Sequence, residues 1–148
     1  MTLKGLFLVV LLWLPLCSCR WHKAEYVFLP DGFVGWVRID YSVKDSPPLP
    51  ESDGHLVVEV AGEARVKTST PMLTGISNDR YFYRKGGTTQ LLAIASPDGS
   101  AEGMVRGLHY TVSQKADPRE EEHFRTFFVG DIASFKKAQN EEPNADGH

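Results

Sequence analysis

The chain has 148 residues and a formal net charge of −3 at pH 7, which is enough for one domain of ordinary size behind a short N-terminal segment. Its lysines and arginines form no basic stripe, which argues against nucleic-acid binding, because that binding depends on clustered cations that release counterions from phosphates. Both cysteines, Cys17 and Cys19, lie near the start, so we expect no disulfide in the remainder of the chain.

The first predicted element is a secretory signal peptide. Lys4 is the only charged residue before Arg20, and the segment from Leu6 to Leu16 is almost wholly apolar. This run of about 11 residues is short for a bilayer, which a helix crosses with roughly 20 residues. We therefore predict that residues 1–18 are a signal peptide and that the chain has no permanent transmembrane anchor here.

The end of this segment, Leu16-Cys17-Ser18-Cys19, resembles the lipobox of bacterial lipoproteins. Leu16 occupies the aliphatic position, Ser18 the small position before the cut, and Cys19 the position that receives lipid. Cys17 is rejected as the modified residue, because Leu16 would then stand where a small residue is expected. Two or more acyl chains on Cys19 would anchor the protein stably, since each buried CH₂ contributes about 0.8 kcal/mol. We predict a lipidated tether over residues 19–24.

The residue after Cys19 bears on the location. It is Arg20, whereas Asp at this position is the usual inner-membrane retention signal in a bacterium with two membranes. We therefore predict a protein of the bacterial cell envelope that is anchored to the membrane through lipid on Cys19. If the source has two membranes, we expect the outer membrane, with the domain facing the periplasm.

Short β-rich segments separated by turns make up the rest of the chain. Apolar and polar side chains alternate from Phe33 to Val43, and again from His55 to Val60, where Leu56, Val58 and Val60 are predicted to face inward. Further strands are predicted over Tyr26–Phe28, Arg65–Ser69, Tyr81–Arg84, Gln90–Ala95, Val105–Val112 and Phe124–Val129. Glycine-containing turns separate them, at Pro30-Asp31-Gly32, Asp53-Gly54, Ala61-Gly62-Glu63, Gly86-Gly87 and Pro97-Asp98-Gly99.

This spacing predicts an all-β fold over residues 25–139, an antiparallel β-sandwich of the prealbumin-like or immunoglobulin-like type. A short C-terminal helix is predicted over Ile132–Ala138, with Asp131 as its N-cap. Residues 140–148 are polar and acidic, and we predict that they form a disordered tail.

Several short motifs carry a family resemblance. In chain order, these motifs are Pro30–Val37, the proline-rich segment Asp45–Pro50, Asp53-Gly54, Thr68-Ser69, Tyr81-Phe82-Tyr83 and Phe127–Asp131. Together they resemble the DUF6843 type of bacterial secreted or lipid-anchored proteins. The resemblance implies an envelope location and no established activity, so it assigns no role to any residue.

The histidines are the candidate metal ligands of the sequence. None of them occurs in a spacing such as His-Glu-x-x-His. His109 and His123 lie on late predicted strands, and with Glu121 or Glu122 they would form a site of two histidines and one carboxylate if these strands are neighbours. Ordinary surface histidines are the alternative, which we favour, and we predict neither a metal nor a cofactor.

The sequence offers no clear nucleophile. The mature chain keeps only the cysteine that is predicted to carry lipid, and it has no Gly-x-Ser-x-Gly elbow. The acidic run from Glu120 to Glu122 is typical of a solvated loop. We therefore predict no catalytic residues. A cryptic hydrolase or a metal-dependent enzyme of the cell envelope is the alternative function.

Aromatic residues are the remaining candidates. In Tyr81-Phe82-Tyr83, the phenylalanine faces one side of a strand and both tyrosines face the other. If Phe82 is in the core, Tyr81 and Tyr83 form an exposed pair, and with Trp36 they are our predicted binding surface; core packing is the alternative. The predicted function is a non-enzymatic envelope module that binds or supports a protein, a peptide or a glycan.

Overall fold

The computed structural model describes residues 22–73, 77–96, 103–114 and 121–143. The strands are β1 (Glu25–Pro30), β2 (Gly35–Tyr41), β3 (Glu51–Ser52), β4 (His55–Glu59), β5 (Arg65–Lys67), β6 (Arg80–Lys85), β7 (Thr88–Leu92), β8 (Val105–Gln114) and β9 (Glu121–Val129). They form a first sheet of order β3-β4-β1-β6-β7 and a second sheet of order β5-β2-β9-β8. A helix, α1 (Ile132–Ala138), and a 3₁₀ turn, Gln139–Glu141, follow the strands.

The core lies between the two sheets and is formed by every second residue of the central strands. Leu56, Val58 and Val60 are 9%, 0% and 6% exposed, which confirms their predicted inward direction. The other members of the core come from both sheets and include Val27, Leu29, Val37, Ile39, Tyr41, Tyr81, Tyr83, Leu92, Val105, Phe127 and Val129. The predicted all-β sandwich is therefore confirmed.

The strand pairing is mixed, and not antiparallel throughout as expected. β1 pairs in parallel with both β4 and β6, and β2 pairs in parallel with β5. The remaining ladders are antiparallel. The reason is that the chain alternates between the sheets, with β2 and β5 in the second sheet and their flanking strands in the first. A strand that returns to a sheet after such a crossover can lie parallel to its predecessor.

The helix α1 occupies the residues predicted for it. The carboxylate of Asp131 accepts a hydrogen bond from the backbone N–H of Ser134 at 2.7 Å, which confirms the predicted N-cap. This hydrogen bond lowers the pKa of Asp131. Phe135 attaches the helix to the outer face of the second sheet, where it packs against Trp36 and Phe128.

The described chain continues past residue 139, the predicted end of the domain. The carboxylate of Glu142 accepts a hydrogen bond from Oγ1 of Thr126 at 3.0 Å and lies 2.7 Å from Nδ1 of His109. These contacts join Glu142 to the second sheet, so the fold includes the first residues of the predicted tail. Residues 144–148 of that tail lie outside the described residues, as do the predicted signal peptide, Cys19, Arg20 and residue 21 of the tether. Within the described ranges, no helix is long and apolar enough to cross a membrane.

Candidate functional site

The tyrosines of the predicted binding surface are buried. Tyr81 is 0% and Tyr83 9% exposed, so the expectation of an exposed pair is wrong. Tyr81 packs edge-on against Phe127 with ring centroids 5.0 Å apart, and the hydroxyl of Tyr83 donates to the backbone carbonyl of Phe33 at 2.7 Å. The alternation separated the tyrosines from Phe82 correctly, but the tyrosines are the members that face the core.

Trp36 is half-buried and holds the helix. Its Nε1–H donates to the backbone carbonyl of Ala138 at 2.8 Å, and its ring packs against Phe128 and Phe135. Gly107 of β8 makes this packing possible. Its φ is +54°, and a Cβ there would meet Cε2 of Phe135 at 3.0 Å. Trp36 therefore joins α1 to the second sheet beside the groove described next.

A groove of about 650 Å³ lies between β8, α1 and the segment 94–96; we call it the helix groove. Its volume lies in the range of known ligand pockets. Apolar side chains dominate its walls, and Ile94 and Ile132 are 47% and 48% exposed. The residues used below are Ile94, Arg106, Leu108, His109, Ile132 and Phe135.

One edge of β8 borders the helix groove and is paired over part of its length. The backbone N–H of Ala95 donates to the carbonyl of Val105 at 2.9 Å, and the N–H of Met104 donates to the carbonyl of Ala93 at 2.9 Å. β8 is the last strand of the second sheet, and its ladder partner within the described residues is β9. From Gly107 onward, this edge therefore has no strand partner in the part of the chain that the structure describes.

The outer face of the first sheet carries a row of half-buried rings, which we call the aromatic face. Tyr26 and Phe28 come from β1, Phe82 from β6 and His55 from β4. The ring centroid of Phe82 lies 5.5 Å from that of Tyr26 and 5.2 Å from that of Phe28, and His55 stacks on Tyr26 at 3.6 Å. Phe28 and Phe82 are directly opposite in the ladder, so their side chains share a face.

Arginines border the aromatic face. The guanidinium of Arg84 lies 4.3 Å from the ring centroid of Phe28, and that of Arg80 lies 5.8 Å from the ring centroid of Tyr26. Leu91 of β7, on the same face, is 57% exposed. The helix α1 packs on the second sheet, so it leaves this face uncovered. Because aromatic and arginine side chains are enriched at contact surfaces, the aromatic face is a second candidate surface.

The core contains a group of polar side chains around Arg125, which is 1% exposed. Its guanidinium donates to Glu25 at 2.6 Å and to Asp79 at 2.7 Å, and the hydroxyl of Tyr41 donates to Glu25 at 2.7 Å. Burial by itself lowers the pKa of Arg125, but the neighbouring tyrosines and Glu25 raise it well above its ordinary value. The adjoining cavity of about 10 Å³ has room for a water molecule at most. We interpret this group as structural.

A polar cleft of about 550 Å³ lies at the far end of β2, between β5 and the start of β9. Both oxygens of its buried carboxylate, Asp40, are occupied. Oδ1 accepts from Nε of Arg38 and Oδ2 accepts from Nε of Arg65, each at 2.6 Å. The cleft therefore presents an ion-pair network that is already satisfied, and it is a weaker candidate than the two surfaces above.

The structure does not bring His109 and His123 together, as the alternative of a two-histidine site would need. β8 and β9 are neighbours, but His109 lies opposite Thr126, and His123 lies opposite Val112. An irregularity between Arg106 and His109 shifts the register by one residue, which places His109 on the outer face. Thr126 and His123 are three residues apart, so the two histidines face opposite sides of the sheet. The described residues contain no group of three or more His, Cys, Asp or Glu side chains that could hold a metal.

Comparison with models of protein families shows to which family the chain belongs. Residues 22–143 match the model of the family of unknown function DUF6843. The chain belongs to the DUF6843 family. Its structure is similar to the crystal structure of a Bacillus anthracis protein provisionally named a lipoprotein, with 19% sequence identity, a TM-score of 0.51, and coverage of 78% of this chain and 76% of that chain. At this identity the likeness concerns the fold. The comparison with curated proteins returned no match.

Both candidate surfaces belong to the part of the chain that matches DUF6843. Sequence reasoning missed the aromatic face, although its signal is present. Side-chain direction alternates in both strands. In Tyr26-Val27-Phe28 the two rings share one side and the valine faces the other, and in Tyr81-Phe82-Tyr83 the two tyrosines share one side and the phenylalanine faces the other. The strand pairing of this DUF6843 domain brings the two β1 rings and Phe82 to one side. The helix groove left no such signal, because its walls come from three separate segments.

Proposed function

We propose that the protein is a lipid-anchored bacterial envelope protein, acylated on Cys19, whose domain is a non-enzymatic module for an extended peptide segment of another envelope protein. The helix groove is the proposed binding site. The observation that carries the proposal is the edge of β8, which ends the second sheet and has a partner along only part of its length within the described residues.

The backbone of this edge supports a peptide ligand. The segment around Ile94 already runs along β8 as a parallel bridge partner of Val105. An added peptide strand would continue that line beyond Gly107 and would pair with backbone groups that the described chain leaves without a strand partner. Main-chain hydrogen bonds of this kind supply affinity with little dependence on sequence, whereas neighbouring pockets supply specificity.

The walls of the helix groove support apolar residues in that peptide. Ile94 and Ile132 are about half exposed, and Phe135 and Leu108 line the same space. Alternate side chains of an extended peptide point to the same side, so every second apolar residue would enter the groove. Arg106 and His109 also line the groove. Nε of Arg106 donates to the carbonyl of Gly130 and Nδ1 of His109 lies 2.7 Å from Glu142, so the peptide would meet the other nitrogens of these two side chains.

The lipid anchor is supported by the lipobox-like exit at Leu16-Cys17-Ser18-Cys19. The provisional lipoprotein name of the structurally similar Bacillus anthracis protein agrees with it. The step from Cys19 to Glu25, where β1 begins, spans at most roughly 20 Å of extended chain. An acylated Cys19 would therefore hold the domain close to the membrane.

The anchor is tested by mass spectrometry and fractionation. We expect the native protein to carry a diacylglycerol and an N-acyl chain on Cys19, and Cys19→Ser to leave the membrane fraction. The matched control is Cys17→Ser, which keeps Cys19, so its mature product should remain in the membrane fraction. An unacylated Cys19 in the native protein would refute the anchor.

The peptide site is tested with a displayed library of random peptides, selected on the detergent-solubilised full chain. We expect selected peptides with alternating apolar residues. Ile132→Lys should weaken their binding at least about tenfold, which corresponds to 1.4 kcal/mol. The matched control, Leu91→Lys, introduces the same charge at a similarly exposed residue of the first sheet. Equal binding by both variants would contradict the proposed groove.

A further inference from the structure

We propose that the aromatic face rests on an anionic phospholipid surface, with its rings at the depth of the headgroups and its arginines on lipid phosphates. This inference rests on the proposed acylation of Cys19. It adds a second contact between protein and membrane, made by Tyr26, Phe28 and Phe82, and it assigns an orientation to the domain.

The side chains of the aromatic face have the chemistry of a membrane interface. Amphipathic rings such as those of tyrosine, together with arginine, are favoured at headgroup depth, where one part is apolar and the other is wet. Tyr26 has its phenol there, and Phe28 and Phe82 provide apolar rings, with Leu91 57% exposed beside them.

The charges on β6 complement an anionic surface. Within the described residues, Arg80 has a ring neighbour, Tyr26, and no acidic partner. Arg84 forms an ion pair with Glu59 at 2.8 Å, between side chains that are 46% and 53% exposed. Such exposed pairs contribute little stability, so a guanidinium can exchange its carboxylate for a phosphate, which guanidinium groups bind through two hydrogen bonds.

The position of the undescribed N-terminal segment selects the membrane as the occupant. The described chain starts at His22 and enters β1 at Glu25, and β1 is the central strand of the first sheet. The next residue, Tyr26, is part of the aromatic face. From an acylated Cys19, the extended chain reaches Tyr26 within roughly 25 Å. A tether this short holds the face at a high effective concentration near the bilayer, so weak contacts suffice for it to dock.

The aromatic face and the helix groove lie on opposite sides of the sandwich. The helix α1 packs against β2 in the second sheet, and the helix groove lies on that side of the domain. When the first sheet faces the bilayer, the outer side of the second sheet faces away from it. The proposed orientation therefore leaves the helix groove open to a partner in the envelope.

The test measures the distance of each side of the domain from the membrane. The lipidated full chain is reconstituted in vesicles of equal parts phosphatidylcholine and phosphatidylglycerol that contain a lipid with a nitroxide on its headgroup. Because acylation consumes the thiol of Cys19, a single introduced cysteine can be labelled with a fluorophore. Thr89→Cys places the label on the side of the aromatic face, since Thr89 lies opposite Arg84. Lys136→Cys places it on α1, on the other side of the domain.

We expect the label at position 89 to be quenched several-fold more strongly than the label at position 136. Arg80→Glu combined with Arg84→Glu should abolish most of this difference. The matched control, Lys136→Glu with Lys137→Glu measured through the label at position 89, makes the same change of charge on α1 and should keep the strong quenching. The difference should also fall in vesicles of phosphatidylcholine alone.

Three outcomes would overturn the inference in distinguishable ways. Equal quenching at both positions shows that the domain has no fixed orientation, and the anchor then stands while the inference is wrong. Stronger quenching at position 136 shows that the aromatic face points away from the bilayer, and the inference is then wrong. Failure of the chain to float with vesicles, together with an unacylated Cys19, removes the proposed anchor and this inference with it.

Discussion

The guanidinium of Arg125 in β9 lies 2.6 Å from the carboxylate of Glu25 in β1, and this ion pair joins the two sheets across the core. Asp79 lies 2.7 Å from the same guanidinium. Glu25 is the first residue of β1, so the ion pair also holds the end of the domain that follows the predicted tether. Arg125 and Glu25 are buried and Asp79 is partly buried, so the contribution of this contact to stability depends on all three groups being present.

The first prediction concerns this ion pair. Arg125→Leu leaves the buried carboxylate of Glu25 and the partly buried carboxylate of Asp79 without their cation, so we expect the free energy of unfolding to fall by about 3–5 kcal/mol. The measurement is denaturant unfolding of the full chain in detergent. The control is Lys85→Ala, which breaks the exposed ion pair with Asp31 and should change the same quantity by less than about 1 kcal/mol. A similar small loss in Arg125→Leu would show that the buried carboxylates are protonated or solvated instead.

The second prediction compares two buried tyrosine hydroxyls. The hydroxyl of Tyr81 has no hydrogen-bond partner within the described residues, whereas that of Tyr41 donates to Glu25 at 2.7 Å. Tyr81→Phe should therefore be neutral or stabilise the fold by up to about 1 kcal/mol, and Tyr41→Phe should destabilise it by about 1.5–3 kcal/mol.

The same unfolding experiment tests this pair, and each variant controls for the loss of a hydroxyl in the other. Burial raises the pKa of both phenols well above its ordinary value, so both remain protonated in the folded protein at neutral pH. If Tyr81→Phe is the more destabilising variant, its hydroxyl has a partner that contributes to the fold.

The third prediction concerns the packing of α1 against β8. Gly107→Ala forces a side chain into a φ of +54° and against the ring of Phe135, so we expect a loss of about 1–2 kcal/mol from the backbone alone. Gly62→Ala is the control, because nothing lies within 4 Å of a Cβ at that position and its φ is ordinary.

Hydrogen exchange gives a local measurement for the same substitution. The indole N–H of Trp36, which donates to the carbonyl of Ala138, should exchange faster in Gly107→Ala and remain protected in Gly62→Ala. Unchanged protection in both variants would mean that α1 is held independently of the close approach at Gly107.

The fourth prediction is a pH dependence at the start of α1. The hydrogen bond from Ser134 lowers the pKa of Asp131 in the folded state. A carboxyl group whose pKa is lowered by folding stabilises the fold at any pH above its pKa in the unfolded state, which is about 3.9 for Asp. This contribution is lost as the pH falls through the pKa of the folded state. The melting temperature of the wild type should therefore exceed that of Asp131→Ala at neutral pH, and the difference should shrink as the pH falls into strong acid.

Asp131→Asn is the matched variant for this experiment, because asparagine also caps helices but does not ionise. Its advantage over Asp131→Ala should be independent of pH across the acidic range. A constant difference between wild type and Asp131→Ala down to the lowest pH would show that the charge of Asp131 does not contribute.

The elements that the sequence predicted best are governed by neighbours along the chain. Helix α1 was predicted over its observed residues, because Asp131 caps it and the capping hydrogen bond reaches only to Ser134. The prediction of which β4 residues face inward is also confirmed, since side chains in a strand alternate regardless of the partner strand. In β6 the same rule separated Phe82 from the tyrosines. Both sets are apolar, so the pattern could not say which set faced the core.

Three features were decided by contacts between residues far apart in the chain. The parallel ladders of β1 follow from which sheet each strand enters. The position of His109 follows from a one-residue shift in the register between β8 and β9. The helix groove follows from the approach of residues 94–96, β8 and α1. Each depends on tertiary pairing, which a pattern of period two does not encode.

The sequence by itself determined which residues of β4 face inward and the extent of α1, because short-range chemistry and steric periodicity govern them, while lipid on Cys19 stays a prediction. Only the tertiary structure decided that Tyr81 is buried, that Arg125 bridges the sheets, and that Phe82 meets the rings of β1 on an open face. The physical reason is that burial belongs to the packed pair of sheets. A single strand has two equivalent faces until another layer covers one of them.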